Sequence, residues 1–150
     1  FDAVADLIEL GIDVRGLNQF IYSNLPEHRL RLKGFALLER MVVLPEKKTA
    51  YIYLTRDDLQ KYHFTSGDTE GLVNYPLSIA GIEFSALFSE PDKAGEVRMS
   101  FRSKANFDVN DFAKQLFGGG GHKNASGASA ELPLEQVIKM FKLSLINIKI

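Results

Sequence analysis

Gly118 to Gly121 form an unbroken run of four glycines that ends on His122-Lys123-Asn124-Ala125-Ser126-Gly127. Residues without a Cβ take positive φ freely and let a ligand or another backbone come close. Asp111 to Phe117 before the run reads as helix, and Ala125 to Leu132 after it reads as strand. The run is therefore a tight helix-to-strand junction, unlike a flexible linker, and such a junction favours a binding site over a plain turn. Successive N–H groups in such a turn can converge on an anion, and phosphate is the usual one. His122, Lys123 and Asn124 would add directional side-chain donors.

The rest of the composition narrows the partner. With 150 residues, 45% hydrophobic content and eleven phenylalanines, the chain has material for one domain with a proper core. Net charge is −1, so no global basic field exists to grip long nucleic acid. A nucleic-acid partner would have to be short, or held at one local site. Cysteine is absent, which excludes a disulfide scaffold and a thiolate metal site and fits a cytoplasmic protein. No stretch is long and apolar enough to span a bilayer, and no signal-peptide pattern opens the chain. A helical pattern starts at once at Phe1, and the chain is expected to be a piece of a longer protein.

Three helices are expected over residues 1–40: Phe1 to Leu10, an Asp13-capped helix through Tyr22, and Glu27 to Arg40. They read as a helical connector, with residues 41–150 forming the main domain. Met41 to Leu44 and Thr49 to Leu54 are β-rich runs around the turn residues Pro45 to Lys48. A short capped helix follows within Thr55 to Phe64, and His63 at its end is given no role. Asp68 to Pro76 is a polar turn or helix start. Ile82 to Phe88 and Glu96 to Ser103 read as an antiparallel pair across a turn at Ser89 to Gly95. In the second strand Val97, Met99 and Phe101 face the core, and Arg98, Ser100 and Arg102 face the other way. That second face would bind anions or be simply solvated. Asp108 caps a helix through Phe117, Pro133 opens a last helix to about Leu145, and Ile146 to Ile150 is an ambiguous apolar stretch with edge-strand character. The fold expected is α/β: a mixed sheet of about five strands with flanking helices, preceded by the helical connector.

A self-sufficient catalytic centre is not visible. The three histidines (28, 63 and 122) stand apart, with no Asp-His-His, His-x-Glu or His-x-Asp group among them. There is no Gly-x-Ser-x-Gly nucleophile turn and no Walker loop. A dinucleotide fold would want its glycines after a strand and before a helix, the reverse of the order found. What remains is anion binding and hydrogen bonding.

Gly119-Gly120-Gly121-His122-x-x-Ala125-x-Gly127 resembles the signature of the DHH-associated domain of DHH-family phosphoesterases. The likeness extends to the strand Val97 to Ser103, to Phe107-Asp108-Val109-Asn110 with Ala113 and Phe117, and to Asp68-Thr69-Glu70-Gly71-Leu72-Val73-Asn74. These are similar to the NrnA-like branch, and together they cover roughly residues 41 to 145. The resemblance implies a phosphoesterase whose catalytic metals, usually manganese, sit on an N-terminal DHH domain, while this domain closes over the cleft. It implies that His122 and the N–H groups of Gly119, Gly120 and Gly121 grip a phosphate. Arg102 would pair with phosphate, and Ser103 and Asn74 would donate hydrogen bonds to phosphate or base. The chain itself would hold no metal and have negligible turnover.

The function expected is therefore substrate binding in a manganese-dependent hydrolase of short oligoribonucleotides, and by the same resemblance of phosphoadenosine phosphate. The alternatives are a cyclic-dinucleotide phosphodiesterase, a non-catalytic nucleotide- or RNA-binding module, and a docking domain whose glycine loop binds nothing. Partners would be a short RNA or nucleotide and the DHH domain of the same protein, with no membrane and with a homodimer allowed.

Overall fold

The computed structural model describes residues 2–91, 95–104, 106–146, 148 and 150. Its elements run α1 (Asp2–Glu9), α2 (Val14–Tyr22), α3 (Glu27–Glu39), β1 (Met41–Leu44), β2 (Thr49–Leu54) and α4 (Arg56–Lys61). A 3₁₀ segment (Leu72–Ser78), β3 (Phe84–Ser89), β4 (Val97–Ser103), α5 (Val109–Phe117), β5 (Gly120–His122), β6 (Ala125–Ala130) and α6 (Leu134–Ser144) follow. The strands form one six-stranded sheet in the order β1-β2-β3-β4-β6-β5. The β2–β3 pair is parallel and every other pair is antiparallel, so the sheet is mixed. The strand beyond the expected five is β5, inside the glycine run.

Side chains alternate across the sheet, and each face has its own cover. On one face Tyr51, Phe84, Phe88, Met99 and Phe101 pack beneath α5 and α6, which contribute Phe112 and Phe141. The rings pack edge-on, with Phe88 and Phe141 centroids 5.0 Å apart at 66°. On the other face Ile52, Leu54 and Leu87 pack against Leu32 and Ala36 of α3, Leu59 of α4, and Leu72 and Val73 of the 3₁₀ segment. That second cover reaches over β2 and β3, which leaves the second-face side chains of β4, β6 and β5 half-buried or exposed.

Of the three helices expected as a connector, α3 is integral to the sheet's cover, since Leu32 and Ala36 are fully buried. Along α1 and α2, Leu7, Ile8, Leu17 and Phe20 are exposed. Arg40, at the end of α3, is fixed to α4 by a bidentate pair, its Nε and Nη2 donating to Asp58 at 2.8 and 2.9 Å. Asp58 also completes the capping box of α4 with Thr55. The turn expected at Ser89 to Gly95 falls in part on residues 92–94, and the edge strand expected at Ile146 to Ile150 in part on residues 147 and 149, outside the described residues. Among the described residues, no helix is long and apolar enough to cross a membrane.

Candidate phosphate-binding face

The uncovered half of the sheet is built by register. Arg102 stands opposite Ala125, and Ala125 stands opposite His122, so the three share one row and one face. On the other side of Arg102 in the same row is Ser85 of β3. With strands about 4.8 Å apart, the Cα atoms of Arg102 and His122 are about 10 Å apart across Ala125. The next row places Ser100 opposite Gly127, and Gly127 opposite Gly120. Two basic or hydrogen-bonding side chains thus flank a floor of alanine and glycine. Smallness at 125 keeps the space between Arg102 and His122 open, and at 127 a Cβ would press on the Met99 carbonyl at 3.2 Å.

Arg102 is half-buried, and its Nη1 donates to the carbonyl of Phe101 at 2.9 Å. No carboxylate among the described residues lies within ion-pair distance of it. A guanidinium has five N–H donors in a rigid fork, so an anion can take the outward ones. His122 is exposed at the end of β5. Asn74 is exposed in the 3₁₀ segment. The neighbouring Val73 carbonyl accepts from Ser85 Oγ at 2.7 Å, and Ser85 is the row partner of Arg102.

Two of the expected phosphate donors have other work. The Gly119 N–H donates to the Ala113 carbonyl at 3.1 Å, and the Gly121 N–H donates to Asn110 Oδ1 at 3.0 Å. Gly120 lies in the ladder opposite Gly127. The glycines therefore act by shape. Gly118 takes the left-handed conformation that ends α5, at φ 64°. A Cβ on Gly119 would collide with the Gly127 carbonyl and Ala128, and one on Gly121 would sit 2.6 Å from the Ala125 carbonyl. Glycine lets β5 fold flat against β6 and so delivers His122 to the row.

Ser103 is not brought to this face. It follows Phe101 in parity, is buried, donates its Oγ hydrogen to the Phe107 carbonyl at 2.6 Å, and accepts from Asn124 Nδ2 at 2.9 Å. Together with Ser126 Oγ donating to the Val109 carbonyl at 2.6 Å, these bonds staple the β5–β6 hairpin to the start of α5.

A cavity of about 340 Å³ opens beside the row. Its floor is Leu87, Ser89, Arg98, Ser100 and Arg102, and its opposite wall is the segment from Phe64 to Val73, including Thr69 and Glu70. Asn74, the one residue of this polar turn expected to act, follows the wall and is not among the residues that line the cavity; a polar turn gives no sign in sequence of which strand it faces. The volume suits a nucleoside-sized ligand better than a bare phosphate. Among the described residues no group of three or more His, Cys, Asp or Glu side chains is placed to hold a metal ion.

Comparison with known proteins agrees with this architecture. The DHHA1 domain family matches residues 46–145, and the chain belongs to that family. Its relatives place it in the NrnA-like branch. It is 32% identical over 123 residues to the bifunctional oligoribonuclease and PAP phosphatase NrnA of Bacillus subtilis, covering 82% of this chain and 33% of that protein. It is 36% identical over 81 residues to a probable NrnA of Streptococcus mutans, covering 54% of this chain and 25% of that protein. The chain thus spans a third or less of these relatives' length. An exopolyphosphatase-related protein from Bacteroides fragilis superposes with TM-score 0.88 at 36% identity, over 95% of this chain and 41% of that one. The pGpG-specific phosphodiesterase PggH of Vibrio cholerae shares the fold, with TM-score 0.56 at 12% identity over 79% of this chain and 38% of that one.

Proposed function

We propose that this chain is the substrate-binding domain of a phosphoesterase that hydrolyses short oligoribonucleotides and phosphoadenosine phosphate. The observation that carries the reading is the Arg102–Ala125–His122 row on the bare half of the sheet. The Bacillus relative, a bifunctional oligoribonuclease and PAP phosphatase, supports the substrate class. Arg102 holds phosphate oxygens through its outward N–H groups, His122 donates from the far side, and Asn74 adds a donor. Ser103 and the glycine N–H groups contribute by holding β5 and β6 in place.

A site of this kind binds and orients. It fixes one phosphate against two donors and places positive charge where a phosphoryl group accumulates negative charge in reaction. Modest net charge suits it, because one aimed clamp does not depend on the counterion release that long polyanions drive. The manganese proposed for the chemistry is assigned to a DHH domain outside this chain, and the chain alone is expected to have negligible turnover. The same reading makes the protein cytoplasmic and allows a homodimer.

The test is calorimetric titration with a 5′-phosphorylated diribonucleotide, with and without manganese, beside Arg102→Ala and His122→Ala. Metal-independent binding that each substitution weakens about ten-fold or more supports the clamp. Equal affinity in all three proteins overturns it.

A further inference from the structure

The cavity wall opposite the arginine strand is held at both ends by the second core, by Phe64 and by Leu72 and Val73, and its irregular middle from Thr65 to Gly71 is tied by a histidine from α3. From Thr65 to Gly71 the backbone makes successive three-residue turns: Asp68 N–H to Thr65 carbonyl at 3.1 Å, and Glu70 N–H to Gly67 carbonyl at 3.0 Å. Gly67 and Gly71 take positive φ, at 98° and 75°. The segment's centre is the Asp68 carboxylate, whose side chain is 5% exposed. Its Oδ2 accepts from the Thr65 N–H at 2.7 Å and from the Thr65 hydroxyl at 3.0 Å. The same oxygen lies 3.2 Å from His28 Nε2, on α3. An ionised carboxylate only accepts, so Nε2 carries the proton and donates.

That bond ties the wall to the layer that covers β2 and β3. Because α3 is anchored through fully buried Leu32 and Ala36, the fixed end of the tie is rigid. The other end sets where Thr69 and Glu70 stand across the cavity from Arg98, Ser100 and Arg102. We propose that His28 is a positioning residue for substrate: through Asp68 it holds the Thr65–Gly71 segment at the spacing that accepts the nucleoside part of a dinucleotide. The inference rests on the phosphate-clamp reading and deepens it, since the clamp alone leaves most of the cavity unassigned. His28 touches no substrate, so its loss acts on the part of the ligand that lies against the wall.

The experiment compares His28→Leu and His28→Gln with the unaltered protein, using the 5′-phosphorylated diribonucleotide and inorganic phosphate as probes. Glutamine keeps a donor for Asp68, while leucine removes it. Expected are an approximately five-fold loss of dinucleotide affinity in His28→Leu, recovery in His28→Gln, and unchanged phosphate binding in both. Amide hydrogen exchange of the ligand-free proteins should rise at 65–71 in His28→Leu and stay level in β2 and β3. Equal dinucleotide affinity in His28→Leu, an equal loss for both probes, or unchanged exchange at 65–71 each overturns the proposal. If the unaltered protein binds no dinucleotide, the clamp reading itself falls, and this use of the tie with it; the Arg102→Ala protein separates the cases, because it loses both probes when the clamp is real.

Discussion

Arg102 and His122 lie in one cross-strand row of the sheet with Ala125 between them, although twenty positions separate them in the chain. Their shared face follows from strand register alone. No carboxylate of the described residues lies within ion-pair distance of Arg102. Arg102→Ala should weaken binding of a 5′-phosphorylated dinucleotide by about 2 kcal/mol, roughly thirty-fold. Arg102→Lys should recover only part of this, because a point charge does not reproduce the planar fork. Calorimetry on the two variants checks both statements.

The floor offers a test that leaves the donors untouched. Ala125→Val adds a β-branched side chain to a strand position, which the strand tolerates or prefers. It also fills the space between Arg102 and His122. The melting temperature should stay level or rise while dinucleotide affinity falls at least ten-fold. Loss of both together would mean that residue 125 is needed for the fold and would leave the floor argument unsupported.

The glycines should separate by position. An alanine Cβ at Gly119 or Gly121 meets backbone of β6 at distances no real Cβ tolerates, whereas one at Gly120 meets Asn110 Oδ1 at an ordinary 3.5 Å. Gly119→Ala and Gly121→Ala should cost about 2 kcal/mol or more and displace β5. Gly120→Ala should cost under about 1 kcal/mol. Urea unfolding of the three variants measures the difference.

Ser103 and Arg102 are adjacent and should behave as opposites. Ser103→Ala removes the partner of the Phe107 carbonyl and of the Asn124 amide. It should cost about 1–2 kcal/mol of stability. Binding per functional molecule should change little, in contrast to Arg102→Ala, which should lower affinity and leave stability near its original value.

The Arg40–Asp58 pair gives the acid limb of stability a named origin. Burial pushes the Asp58 carboxyl up, but the Arg40 guanidinium together with the Thr55 N–H and hydroxyl outweighs it and holds it below the ordinary carboxylate range. The Asp58 bond correspondingly raises Arg40. A carboxyl lowered in the folded state stabilises fully above its unfolded value, near pH 4, and that contribution is lost as pH falls through the folded value. Asp58→Asn should therefore lower stability at pH 7 and flatten its decline below about pH 4. Thermal melts from pH 2 to pH 7 read the slope.

Much of this fold is legible in the residues. Alternation in Val97 to Ser103 separates the arginine face from the core face, and Asp108 and Thr55 announce the helices they cap. The extents of β1 and β2 follow from the β-rich runs on either side of Pro45 to Lys48. β5 was illegible because a glycine run has no side-chain period. The same run suggests an anion-binding nest, yet the N–H groups of Gly119 and Gly121 are taken by the Ala113 carbonyl and Asn110 Oδ1 of α5, a helix whose placement sequence does not give. Ser103 is instructive in a different way: the parity that exposes Arg102 buries its neighbour, so the strand's own pattern already opposed the role that resemblance lent it. The His28–Asp68 bond spans forty residues between a helix and a turn, and no local pattern links them.

The most direct measurement is an NMR titration that follows the Arg102 side-chain Nε–H, the His122 ring and the backbone amides while a 5′-phosphorylated diribonucleotide is added. The expected result is saturating shifts at Arg102, His122, Ala125 and Gly127, with Ser103 and the α6 face unmoved. Shifts confined to Lys48 and Lys104, which line a separate cavity of about 430 Å³ on the chain, would contradict the account. So would saturable binding that leaves Arg102 and His122 untouched.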